Sequence, residues 1–339
     1  ARASLDNPIA LGYSCAGIVE AVDKSIQNFN VGMPVACAGA GYAVHAEQIL
    51  VPRNLVATIP HNVEMEHAAF TTIGSIAMQG YRLSNIQIGD KVAVLGLGLI
   101  GLLMVQIIKS AGCDVIAYDP KSNQCDLAHD LGADLVSDDK DIFIKKCIGV
   151  SDGIGLDNVI ITASTKSNQP IEIAGLVTRN KAKVVIIGAV GMDIPRKNYY
   201  EKELDLVVSK SYGPGRYDSQ YEESGIDYPI SYVRWTENRN MQSFLTLLSS
   251  RKVKLDKIIT HRFSIENAVE AYKLLQPKSN DNPIGIILNY PKNNFNDSKK
   301  IKFSWDNISK TKNSDIQIGI IGAGGFASHT LIPNIKKMD

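Results

Sequence analysis

"VAVLGLGLIGLLMVQIIK", residues 92–109, decides the fold. A short apolar run reaches Gly96, and an apolar stretch of helical length leaves Gly101. Between them lies G-x-G-x-x-G, formed by Gly96, Gly98 and Gly101. The spacing predicts a strand, a tight turn and a helix whose backbone N–H groups face a pyrophosphate. About 17 residues separate Lys91 from Lys109, fewer than the about 20 of a membrane-spanning helix, and three glycines and Gln106 interrupt them. The reading is therefore a buried strand running into a buried helix. The next strand, "DVIAYD", ends at Asp119, about 20 residues on, where a carboxylate accepts hydrogen bonds from ribose hydroxyls. That carboxylate also repels a 2′-phosphate, which favours NAD over NADP.

Outward from this unit, "DNVIITAS" and "AKVVIIGAV" read as further buried strands, with helix-length stretches such as "NQCDLAHDLGA" between strands. The alternation predicts βαβ crossovers and a doubly wound parallel sheet. Before it, residues 8–60 carry short apolar runs punctuated by glycine and proline, including "GIVEAV", "MPVACAG", "HAEQILVP" and "LVATIP". That pattern suits short strands of a small β-barrel. Residues 291–314, rich in Asn, Ser and Lys, read as a linker.

The 339 residues are 45% hydrophobic and 21% charged, with a net charge of +1, which leaves no electrostatic footprint for nucleic acid or an anionic membrane. The five cysteines form no C-x-x-C pair, so a reducing, cytoplasmic setting is expected. The chain opens "ARASLDNP" without methionine, and its natural start is expected upstream of Ala1.

The motifs "GYSCAGIVEAV", "NFNVGMPVA", "HAEQILVPRNLVATIP", "AAFTTIGSIA", the glycine turn, "DLAHDLGADLV" and "VVIIGAVG" resemble the medium-chain dehydrogenase/reductase superfamily over roughly residues 8–290. The resemblance implies an α/β fold that combines a GroES-like β-barrel catalytic domain, residues 1–59 and 254–290, with a Rossmann NAD-binding domain, residues 60–253. It also implies cofactor contacts from Gly96, Gly98, Leu99, Ile100, Gly101, Asp119, Pro120, Ala163, Gly188, Ala189 and Val190. The family's catalytic zinc site is altered. Tyr13 stands where many members place a histidine ligand, and Thr72 falls near the third ligand position. The cysteine-rich lobe that would follow "GMPVACAG" is missing. Hydroxyl side chains are poor zinc ligands, so no metal is expected. Cys15 and Cys37 are read as packing residues.

Without a metal, a hydrogen-bond donor must handle the charge that hydride transfer leaves on oxygen. Tyr13, Thr72 and His45 are the catalytic candidates, with His67 a further histidine. A tyrosine that fills the vacated pocket and histidines in structural roles are the alternatives. Segment 211–239 carries Tyr212, Arg216, Tyr217, Tyr221, Tyr228, Tyr232, Arg234, Trp235 and Arg239. Aromatic rings stack on sugars and guanidinium groups bind phosphate or carboxylate, which makes Tyr212, Arg216 and Arg234 substrate candidates. A subunit interface enriched in the same residue types is the competing reading.

Near the end, "IGIIGAGGFASHTLIPNIKK", residues 318–337, resembles the opening of the glucose–fructose oxidoreductase/inositol dehydrogenase family, with Gly322, Gly324 and Ala327 as its turn. Residues 315–339 are thus expected to begin a second dinucleotide-binding domain. Together these readings predict a zinc-independent NAD-linked oxidoreductase acting on a sugar, polyol or sugar nucleotide. They add a homo-oligomer, dimer or tetramer, with no nucleic-acid or membrane partner. A non-catalytic NAD(H)-binding module serving a second oxidoreductase domain is the alternative.

Overall fold

A computed structural model describes residues 10–276, 281–291, 324 and 327–336. The chain divides into two compact units, Ala1–Pro291 and Lys292–Asp339.

In the first unit, strands β1 (Ser14–Ile18), β2 (Pro34–Ala38) and β3 (Val56–Thr58) form an antiparallel sheet in the order β1-β2-β3. The expected barrel half is represented among the described residues by this sheet and a separate parallel pair, β10 (Ile259–Ser264) with β11 (Gly285–Asn289). "HAEQILVP" differs from the sequence reading and forms no strand. Its Leu50 is 91% exposed, so among the described residues no facing layer covers the apolar side chain that a strand would bury there.

The larger sheet has six parallel strands: β4 (Lys91–Leu95), β5 (Asp114–Tyr118), β6 (Leu135–Ser137), β7 (Leu156–Ile161), β8 (Thr178–Ile186) and β9 (Asp205–Val208). Its order, β6-β5-β4-β7-β8-β9, is that of two mononucleotide-binding halves joined at β4 and β7. The direction of winding reverses between those two strands, and a crevice opens at their carboxyl ends.

Helices cover both faces. α1 (Met65–Ala68) leads into α2 (Thr71–Ser84), and α3 (Leu99–Ser110) and α4 (Ser122–Asp130) follow β4 and β5. α5 (Lys140–Val150), α6 (Gln169–Val177) and α7 (Arg196–Glu201) come next, then α8 (Ser219–Glu222), α9 (Glu237–Ser249) and α10 (Ala268–Leu274). One core joins α2, α3 and α9 through Met78, Leu103 and Phe244, and a second joins the sheet to α5 and α6 through Phe143, Ile171 and Val159. Burial on both faces explains why the strands read as continuous apolar runs rather than alternating ones.

α3 is the helix that an apolar count alone would mistake for a membrane segment. Gln106 in its middle is only 4% exposed, and its amide is satisfied by Lys254, donating to the carbonyl at 3.2 Å and accepting from the N–H at 2.8 Å. Among the described residues, no helix is long and apolar enough to cross a membrane.

In the second unit, the described residues form a helical turn, Ala327–Leu331, continued by α11 (Ile332–Ile335). Gly322 of the second glycine turn lies outside the described residues.

Candidate functional site

The crevice between β4 and β7 is shaped by contacts that leave no room for side chains. Gly96 adopts φ +98°, and a Cβ there would lie 2.5 Å from the Ala163 nitrogen. A Cβ on Gly101 would meet the Gly96 carbonyl oxygen at 2.0 Å, and one on Gly188 would meet the Ala163 carbonyl oxygen at 1.9 Å. The three loops after β4, β7 and β8 are therefore packed backbone to backbone. Hydrogen bonds fix the arrangement: Thr162 Oγ1 donates to the Gly96 carbonyl at 2.5 Å, and the Ala163 N–H donates to the Leu95 carbonyl at 3.0 Å.

Gly98 has a different environment. It is exposed, it is the N-cap residue of α3, and a Cβ there would touch nothing within 4 Å. No side chain caps the helix, and its first internal bond is that of the Leu102 N–H to the Gly98 carbonyl at 2.9 Å. The first-turn N–H groups and the positive end of the helix dipole thus face open space, an arrangement that fits a pyrophosphate. Asp119 ends β5 beside this turn. One carboxylate oxygen accepts from the Leu97 N–H at 2.8 Å and the other from the Lys121 N–H at 3.0 Å. Two bound amides hold the carboxylate at the mouth of the crevice while lone pairs remain for ribose hydroxyls.

The structure thus brings together Gly96, Gly98, Leu99, Ile100, Gly101, Asp119, Ala163 and Gly188. Pro120 and Ala189 are exposed at the rim, and the Ala189 carbonyl accepts from the Thr165 N–H at 2.8 Å.

The catalytic candidates divide. Tyr13 precedes β1, is 45% exposed, and accepts a hydrogen bond from the Gly39 N–H through its carbonyl at 3.1 Å. Partial burial raises the pKa of its phenol, so the hydroxyl keeps its proton at neutral pH. His45 packs against Gly12, its ring 2.9 Å from where a Gly12 Cβ would be. Its Nε2 shares a 2.9 Å hydrogen bond with the Tyr272 hydroxyl of α10, and burial lowers its pKa. Tyr272 had no signal in the sequence, because 227 positions separate it from His45.

Thr72 is fully buried and donates to the Cys37 carbonyl at 3.3 Å, a packing contact between α2 and β2 that keeps its hydroxyl from solvent. His67 Nε2 lies 3.8 Å from an Asp256 carboxylate oxygen at the surface. Cys15 and Cys37 face each other across β1 and β2 as free thiols. Among the described residues, no group of three or more His, Cys, Asp or Glu is arranged to hold a metal. Tyr13 and Thr72 do not offer the imidazole, thiolate or carboxylate that zinc requires.

The three substrate candidates from segment 211–239 do not act as one clamp. Arg234 lies over the Trp235 ring at 4.0 Å, where Arg82 also lies at 3.5 Å. Tyr212 is only 3% exposed. Arg216 lines a cavity of about 540 Å³ with Gly41, Tyr42, Tyr217 and Glu222, but its Nη1 already donates to Glu222 at 2.6 Å. Sequence reasoning passed over Glu222 and Glu237, which resemble ordinary acidic residues of a helix first turn.

Comparison with known proteins agrees with this geometry. Residues 100–224 match the family model described as zinc-binding dehydrogenase. The chain is 27% identical over 231 residues to the NADP-dependent isopropanol dehydrogenase of Entamoeba histolytica, covering 67% of this chain and 58% of that protein. It is 25% identical over 273 residues to the D-guloside 3-dehydrogenase of Shigella flexneri, covering 77% and 72%. The crystal structure of galactitol-1-phosphate dehydrogenase from Escherichia coli superimposes with a TM-score of 0.68 at 21% identity, covering 83% of this chain and 84% of that one. The last likeness shows the fold, a GroES-like and Rossmann pairing.

Proposed function

We propose that the chain, whose residues 100–224 match the zinc-binding dehydrogenase model, is an NAD-linked oxidoreductase acting on a hydroxyl or carbonyl of a polyol or sugar-type substrate, without zinc. The observation that carries this reading is the crevice where winding reverses, with Gly98 open above an uncapped helix and Asp119 at its mouth. The nicotinamide, when bound, accepts or returns the hydride. The N–H groups of α3 would hold the pyrophosphate, Asp119 the ribose hydroxyls, and the Gly188–Val190 edge would flank the ring. Tyr13 Oη would donate or take the hydroxyl proton as charge develops on the substrate oxygen. The same reading gives a cytoplasmic homo-oligomer with small-molecule substrates.

A chain carrying Tyr13→Phe is expected to lose roughly 100-fold in kcat with NAD affinity unchanged, measured by reduced-nicotinamide formation over a panel of polyols and sugars. Equal rates for both chains would remove Tyr13 from the proton path. Nucleotide binding with no turnover of any panel member would favour the non-catalytic module. One tightly held zinc per chain, by elemental analysis, would overturn the metal-free part.

Asp119→Asn separates charge from shape, because an amide oxygen can still accept from the Leu97 N–H. Losing the charge-assisted bonds to ribose should weaken NADH roughly tenfold. NADPH, relieved of the repulsion, should not weaken. Titrating both cofactors tests this, and an unchanged ratio of dissociation constants would dismiss Asp119 as the selector.

A further inference from the structure

Segment 211–239 and the loop after β2 meet at the cavity of about 540 Å³, a volume usual for small-molecule sites. It is walled by Ala40, Gly41 and Tyr42, which follow the Gly39 bound to the Tyr13 carbonyl. Its other wall is the Arg216–Glu222 pair, whose side chains are 12% and 8% exposed. Both members of this buried pair line the cavity, which gives its wall an acceptor and a donor side by side.

We propose that this cavity is a subsite for a neutral, polyhydroxylated ligand, an unphosphorylated sugar or polyol, recognised by the Arg216–Glu222 pair. Calling that ligand the substrate rests on the oxidoreductase reading above.

Charge decides against an anion. Among the described residues, Arg216 is the only Lys or Arg in the wall, and Glu222 already neutralises it at 2.6 Å. Glu237 adds no charge at neutral pH, because burial and the nearby Glu222 hold its proton. At the rim, Glu223 contributes a further carboxylate, and Lys210, over the Tyr217 ring at 5.2 Å, offsets it from outside the wall. A phosphate would have to displace Glu222 and face Glu223. Hydroxyl groups need neither, since each can donate to a Glu222 oxygen and accept from the guanidinium at once. Glu222 Oε2 has capacity to spare, because its partner is the Tyr217 N–H at 3.3 Å.

The test is calorimetric titration of the 339-residue chain, without cofactor, using methyl β-D-glucopyranoside, sorbitol and glucose 6-phosphate. Either neutral probe should bind at least about tenfold more tightly than the phosphate. Glu222→Gln should weaken the neutral probe roughly 10- to 100-fold and improve phosphate binding, because it frees Arg216. Ser219→Trp fills the cavity from an exposed position and covers the case in which the first variant does not fold. It should abolish neutral-probe binding while its melting temperature and NADH affinity stay those of the parent. Phosphate binding equal to or tighter than neutral binding, or an unchanged neutral isotherm in Ser219→Trp, would overturn the proposal. An NADH titration of the parent distinguishes the two readings: its failure counts against the oxidoreductase, and the sugar isotherms alone decide the subsite.

Discussion

A valine at position 101 is expected to lower the melting temperature by more than about 5 °C and to abolish dinucleotide binding. The added Cβ would lie 2.0 Å from the Gly96 carbonyl oxygen, well inside van der Waals contact. Neither partner can retreat. The Gly96 oxygen accepts from Thr162 Oγ1, and the Gly96 N–H donates to the Tyr118 carbonyl at 2.8 Å. The helix that carries Gly101 is buried from Leu102 to Ile108, so sliding it outward would open the core. Overpacking commonly costs about 1–3 kcal/mol, and a backbone obstacle places this case at or beyond the upper end. Gly98→Ala is the contrasting variant. A Cβ there meets nothing, and φ −70° with ψ −169° suits any residue. Its stability should match the parent while NADH affinity falls, because the methyl group stands where the pyrophosphate approaches. Thermal melts paired with NADH titrations check both, and parental affinity in Gly98→Ala would remove the phosphate from that turn.

Those two glycines show which parts of the molecule local sequence encodes. Strand, turn, helix and terminal aspartate follow one another within about 30 residues, so their spacing alone sets their geometry. The apolar runs of β4, β5, β7 and β8 were readable for the same reason, as strands buried on both faces. Partners far apart in the chain left no such trace. Nothing near His45 announces Tyr272, and nothing near Glu66 announces Arg262, which donates to it at 2.7 Å. Thr72 shows the limit of a family position. The position was legible, but the hydroxyl turns to Cys37, a partner that only the packing of α2 on β2 supplies. In segment 211–239 the density of rings and guanidinium groups was plain from composition. Which arginine an acid would claim depended on burial, and there Glu222 decided for Arg216.

Glu237 is the residue in that segment with the largest energetic consequence, and Glu237→Gln is expected to stabilise the chain increasingly as pH rises. Its side chain is fully buried, and neither carboxyl oxygen has a partner. Burial first, and the charge of Glu222 second, push its pKa from an ordinary 4.5 up to about 9, against a smaller opposing effect of Arg216. In the unfolded chain the same carboxyl ionises near its ordinary value. Between about pH 4.5 and pH 9 the folded state therefore binds more protons than the unfolded one, and stability falls as pH rises. Across that window the loss is of order 5 kcal/mol. Glutamine has nearly the shape of the protonated acid and does not titrate. The two chains should have similar melting temperatures near pH 4.5, and the variant should lead by roughly 10 °C or more at pH 9. Melting curves across that range measure the gap. A gap that stays constant with pH would mean that Glu237 is ionised in the folded chain, and the neutral charge balance around Arg216 and Glu222 would fail with it.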